Sequence, residues 1–242
     1  MTAALEEVAA VVLASRGGAP LARALDGVAW AGERIVLDPA ARLGAEPLPG
    51  GVRRAGEPAE AARAPWLLLV EEHEVVRPPL VTAIAGTLQA PAARAYRIAQ
   101  EVTAFGTTLR LRHAPVRLVR RDGVRLRLRT GLTPELAAGG ERAPRLPERL
   151  VTDAVPTLAA AVEELDARAT VLAALLHARR VRPHLWHLVV PPLAASARAL
   201  VAGGSAGGIW GRWTLAVLEG YRAQVAYAKL WEMRREEAVR RR

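Results

Sequence analysis

The chain has 242 residues and 51% hydrophobic content, enough to bury a real core and too apolar for disorder throughout. It has no cysteine, which excludes a disulfide framework, a thiolate nucleophile and a zinc–thiolate site. Its net charge of +10 comes from arginine, with Lys229 the only lysine. Its aromatic content of 4% shows no basic and aromatic interleaving of the kind that stacks bases, so nucleic acid is not an expected partner.

Glu6 and Glu7 precede the first apolar run, which is not a secretory-signal pattern. Val8 to Ala14 reads as a buried strand, and Ser15 to Gly18 as a loop. Leu21, Ala24, Leu25 and Val28 have helical spacing. Arg34 to Asp38 is a second strand, stopped by Pro39, which completes a βαβ unit. Asp38 at its carboxyl end suits either accepting hydrogen bonds from a ribose or a base, or a helix or turn cap. A short helical turn over 40–45, a proline- and glycine-rich loop over 47–58 and a short helix over 59–64 follow.

Trp66 to Val70 is a continuous apolar run, the mark of a strand buried on both faces. It runs directly into Glu71-Glu72-His73-Glu74. Open α/β sheets bind ligands beyond the carboxyl ends of their strands, so these four residues are the best candidate for a metal or nucleotide site. The alternative is a solvated turn whose acids favour the positive end of the next helix. That helix spans Pro78 to Leu88, with its prolines in the first turn.

From Arg94 to Arg129 the period changes to two, and apolar residues alternate with arginine through four strands. The arginine face reads as a solvated surface or as one that meets phosphate or anionic headgroups. Residues 130–147 read as a loop, and Val155 to Ala178 as a long helix with an apolar stripe from Leu158 to Leu176. Then Arg179, Arg180 and Arg182 abut the apolar stretch Leu185 to Leu193, which carries Trp186. After the glycine-rich break 203–208, Ile209 to Arg235 places Trp210, Trp213, Val217, Tyr221 and Trp231 at helical spacing. Paired Trp and Arg clusters suit an interfacial membrane segment, while a cap on the core or a dimer contact is the alternative. No apolar run reaches the roughly 18 residues of a conventional transmembrane helix.

Five segments in order resemble family-2 glycosyltransferases, and within them the bacterial subgroup of lipopolysaccharide-core and surface-glycan assembly. They are Trp30 to Asp38, Trp66 to Glu74, Tyr96-Arg97-Ile98, Arg117 to Arg121, and the tail Gly207 to Glu232. The resemblance implies an α/β GT-A fold, a Rossmann-like mixed sheet flanked by helices, over residues 1–150. A helical membrane-proximal appendage over 151–242 follows. It also implies transfer of a sugar from a nucleotide-diphosphate sugar to a lipid-linked or surface-glycan acceptor. The place would be an anionic membrane surface, on the cytoplasmic side of the inner membrane. In such enzymes a divalent metal, Mn or Mg, neutralises the diphosphate and a carboxylate deprotonates the acceptor. Carried over, Glu71 and His73 would hold the metal, Asp38 and Glu71 would meet the nucleotide, and Glu135 or Glu74 would be the base. The family's Asp-x-Asp is here Glu71-Glu72-His73, its Asn-Glu after the first strand is Ser15-Arg16, and its His-Glu segment leaves only Glu135. These departures open the second reading, a catalytically degenerate homologue that binds or scaffolds at the membrane.

Overall fold

The computed structural model describes residues 2–240 other than 45–46, 57–61, 105–106, 112, 123, 130–132, 138–142, 153–156 and 203–207. Helix α1 (Thr2–Glu6) leads into β1 (Val8–Leu13), α2 (Gly18–Gly27), β2 (Glu33–Leu37), β3 (Val52–Ala55), β4 (Trp66–Glu71), β5 (Glu74–Val75) and α3 (Pro78–Gln89). Next come β6 (Ala95–Ala104), β7 (Thr107–Arg110), β8 (Val116–Arg120), β9 (Arg125–Arg129), β10 (Thr133–Ala137) and β11 (Arg145–Thr152). The chain ends in α4 (Leu158–Ala178), a 3₁₀ turn (Leu185–Leu188), α5 (Val190–Ala202) and α6 (Gly208–Arg240).

The main sheet is mixed, in the order β3-β2-β1-β4-β8-β6-β11-β5, with β7 on β6. Strand β1 is buried at every residue because it has a parallel neighbour on each side and a covered layer on each face. Val8, Ala10 and Val12 face α2 and α3, where Leu21, Leu25, Leu80 and Ile84 pack. Ala9, Val11 and Leu13 face the β9–β10 hairpin and α4, through Leu126, Leu136 and Val171. Each Leu or Val so buried contributes about 1.5–3 kcal/mol. This is why the apolar runs, rather than their polar flanks, fix which strands are central. Leu13 is level with both Leu37 and Glu71, so Asp38 and Glu71 emerge from the same edge, as the βαβ reading requires.

Strand β8 runs antiparallel between β4 and β6 and pairs Leu118 with Leu68. The next residue back, Arg117, is thereby carried to the carboxyl end of β4. Helix α4 is capped by Thr157, whose side chain accepts from the Ala160 N–H at 3.2 Å. It is buried nearly all round, because its other side meets α5 and α6. There Ala169, Leu172, Ala173 and Leu176 form a second small core with Ala195, Ala223, Ala226 and Leu230.

The structure departs from the sequence reading in four places. Val52–Ala55 of the expected 47–58 loop form β3, parallel to β2. Residues 133–137 of the expected loop form β10, held antiparallel to β9 with Leu136 in the core. Residues 62–64 are not helical, the remainder of the expected 59–64 helix lying outside the described residues. The arginines of the alternating stretch do not share one face: Arg110, Arg120 and Arg125 are exposed, whereas Arg117 is wholly buried. Gly123 of the Asp122-Gly123 turn and most of the 203–208 break lie outside the described residues.

Candidate functional site

Glu72 and His73 form the turn between β4 and β5, and all four ionisable residues from Glu71 to Glu74 are buried. They are not a solvated turn. Arg117 Nη2 donates to Glu71 Oε1 at 2.7 Å and to Glu74 Oε1 at 3.1 Å. Arg168, from α4, lies 3.6 Å from Glu71 Oε2. Glu74 also accepts from the Glu71 backbone N–H at 2.7 Å and from the Gln100 side chain. Burial raises the Glu71 carboxyl, but the guanidiniums of Arg117 and Arg168 outweigh it and hold the group well below the usual carboxylate range. Burial pushes Glu74 upward despite Arg117. Burial, with Arg168 next, pushes His73 down to about 3, so its ring is neutral at physiological pH.

Glu72 turns the other way, into the loop after β1. Its carboxylate accepts from the backbone N–H groups of Ser15 at 2.6 Å, Arg16 at 3.0 Å and Gly17 at 3.2 Å. Successive N–H groups at the start of a helix form an anion cradle, and here a side chain of the protein fills it. Asp38 is likewise engaged: its two oxygens accept from the Arg42 and Leu43 N–H groups, each at 2.9 Å. That is the geometry of a turn cap.

Beyond Glu71 and His73 lies a cavity of about 130 Å³, roofed by α4, α5 and α6. Its charged wall includes Arg168, Arg222 and Glu219, and its apolar wall includes Ala195, Ala199 and Leu215. Arg222 Nε donates to Glu219 Oε2 at 3.2 Å; burial raises the Glu219 carboxyl, but Arg222 and Arg168 together hold it below its usual range. Sites that enclose drug-sized ligands run to roughly 300–1,000 Å³, whereas about 150 Å³ accommodates a benzene-sized group. A nucleotide-diphosphate sugar exceeds this space.

One ligand atom from each of Glu71, His73 and Glu74 lies within 4.8 Å of the others, a metal-like grouping. The charges do not fit a resident divalent ion, because both carboxylates already share Arg117 and Glu71 also meets Arg168. A divalent ion about 4 Å from one guanidinium would be repelled by roughly 8 kcal/mol at an effective dielectric of about 20.

The C-terminal segments expose several large apolar side chains. Leu185, Trp186, Leu193, Ile209, Trp210 and Trp213 are all more than half exposed, Trp210 at 83%. Arg179, Arg180 and Arg182 are exposed on the segment that enters this face. Among the described residues no helix is long and apolar enough to cross a membrane.

The structure thus brings Glu71, His73 and Glu74 together. It leaves Asp38 on its own turn, and it buries Glu135 on β10 next to Pro134, a cavity-lining residue. The sequence reading missed Arg117, Arg168, Gln100 and Arg222. The available signal for Arg117 was its place within Val116 to Val119, where a lone arginine interrupts apolar residues. No protein-family model matches the chain, and no curated protein matches it either.

Proposed function

We propose that this protein is a degenerate relative of family-2 glycosyltransferases that acts as a peripheral membrane binding protein rather than as a metal-dependent sugar transferase. One observation carries this reading: at the sheet edge, Asp38, Glu71, Glu72 and Glu74 all spend their carboxylates on partners within the protein. None of these four carboxylates is left free for a metal–diphosphate. The cavity suits a small, mostly apolar ligand with one polar end, such as part of a lipid-linked chain. Calorimetric titration with nucleotide diphosphates, with and without manganese, tests this. The expected result is no saturable heat in either condition. Manganese-dependent saturation by any nucleotide diphosphate would overturn it.

The sugar-transfer reading has one observation in its favour. The cavity lies beyond the carboxyl end of β4, where open α/β sheets take ligands, with Glu71 and His73 in its wall and Glu74 beside them. Saturable nucleotide binding with no need of metal in the same titration would promote it.

The membrane part of the proposal rests on the exposed tryptophans and the arginines beside them. Indole rings settle at the headgroup level and guanidiniums meet lipid phosphates. The protein is expected to co-sediment with vesicles containing anionic phospholipid and to be only partly released by high salt, since apolar burial survives screening. Joint Trp210→Glu and Trp213→Glu substitution should weaken sedimentation by about tenfold or more. Thermal stability should barely change, because exposed substitutions cost within about 0.5 kcal/mol each. Unchanged sedimentation of that variant would remove the membrane assignment.

A further inference from the structure

We infer that the cavity under α4, α5 and α6 is a binding site for a small neutral alcohol, whose hydroxyl pairs with His73 Nε2 and whose hydrocarbon body packs against the helices. The inference rests on the reading of that cavity as the ligand site, and it names the class of ligand. His73 is 6% exposed and lines the cavity, and its Nε2 has no hydrogen-bond partner among the described residues. Arg168 lines the same cavity, and its Nε is a second buried atom with no such partner. Buried polar atoms left unpaired are costly, and a ligand that bonds them recovers that cost.

The charges around the cavity are already matched. Glu71 is held by Arg117 and Arg168, Glu219 by Arg222, and Glu164 lies 3.9 Å from Arg168. Arg198 and His113, also in the wall, are likewise engaged. A carboxylate or an ammonium would enter without a counter-charge and would lose its hydration. His73 is itself neutral, because burial, with Arg168 next, outweighs the pull of Glu71. A neutral imidazole nitrogen donates or accepts according to its tautomer, and a hydroxyl answers both. The hydroxyl oxygen can also accept from the Arg168 Nε–H group. The remaining wall is largely apolar, with Val102, Leu111, Leu165 and Leu218 in it. A cavity of roughly 150 Å³ takes benzene, so a volume of about 130 Å³ sets the size of the body near one six-membered ring.

The test titrates the full chain with phenol, benzene and benzoate, followed by NMR chemical shifts of the protein. Phenol is expected to saturate one site about threefold to tenfold more tightly than benzene, and benzoate to show no saturation. His73→Phe keeps a ring and removes its nitrogens, so it should erase the advantage of phenol and leave benzene binding. Ala199→Leu fills the cavity from α5 and should block both. Octanol, longer than the cavity, then tells the source of the alcohol. Competition with phenol points to the hydroxyl end of a lipid chain and exclusion points to a free compound, and either result supports the inference. Four results overturn it: benzoate binding as tightly as phenol, phenol binding no tighter than benzene, phenol binding unchanged in His73→Phe, and binding untouched in a folded Ala199→Leu. The first three leave the cavity standing as an apolar ligand site, whereas no binding of phenol or benzene overturns that reading as well. The comparison of the three compounds on the wild type decides the matter even where His73→Phe does not fold.

Discussion

Glu72→Ala is expected to destabilise the protein by about 3–5 kcal/mol. The carboxylate is 2% exposed and is the acceptor for three consecutive backbone N–H groups, those of Ser15, Arg16 and Gly17. A bond from a buried N–H to a charged acceptor is worth about 1.5–3 kcal/mol, and an orphaned donor costs about 1–3 kcal/mol. Water entering the space left by the side chain recovers part of that sum. The loop also opens α2, whose positive end favours the carboxylate. Glu72→Gln retains one acceptor oxygen and loses the charge, so its cost should fall between wild type and alanine. Urea unfolding of the three proteins, read by circular dichroism, gives the order. An alanine variant that unfolds at the wild-type midpoint would show that the cradle contributes nothing to stability.

The reach of Glu72 illustrates what the sequence could and could not convey. Local pattern was enough for the strands. Val8 to Leu13 and Trp66 to Val70 are continuous apolar runs because both their faces are covered, and that placed Glu71 and Asp38 at one edge. The pairing of Glu72 with a loop 57 residues earlier has no local signature. Nor does the inward turn of Arg117. In the alternating stretch every arginine looks alike, and only the insertion of β8 beside β4 separates it from Arg120, which ends the same strand exposed. Helix α4 was legible as a helix, but not as one buried on two sides. Its stripe begins with Leu158 and Val162, both exposed, while Ala167, Ala173 and Ala174 off the stripe are buried. Small residues let α5 and α6 approach, and a reading keyed to large apolar side chains passes over them.

Acidification should expose the other strong dependence, through His73. Its ordinary pKa of 6.5 falls to about 3 in the fold, first through burial and then through Arg168, with Glu71 pulling the other way and Arg117 and Arg222 adding to the depression. Below pH 6.5 the unfolded chain therefore takes up a proton that the folded chain refuses. Stability is complete above 6.5 and is lost by about 1.4 kcal/mol per pH unit down to about pH 3. Between pH 7 and pH 5 this group alone should cost roughly 2 kcal/mol. Comparison with a variant at His73 separates its contribution from those of the surrounding groups. Glu71 is held below the carboxylate range, so its contribution is lost only below about pH 4.5. Glu74, raised by burial, shifts stability in the opposite sense. His187, lowered by burial, adds to the loss in both wild type and variant and cancels in the comparison. His73→Gln cannot take up the proton, so its stability should fall by about 2 kcal/mol less than wild type over the same interval. Urea midpoints measured at pH 7, 6 and 5 decide the matter, and parallel losses in the two proteins would mean that His73 is protonated as easily in the fold as outside it.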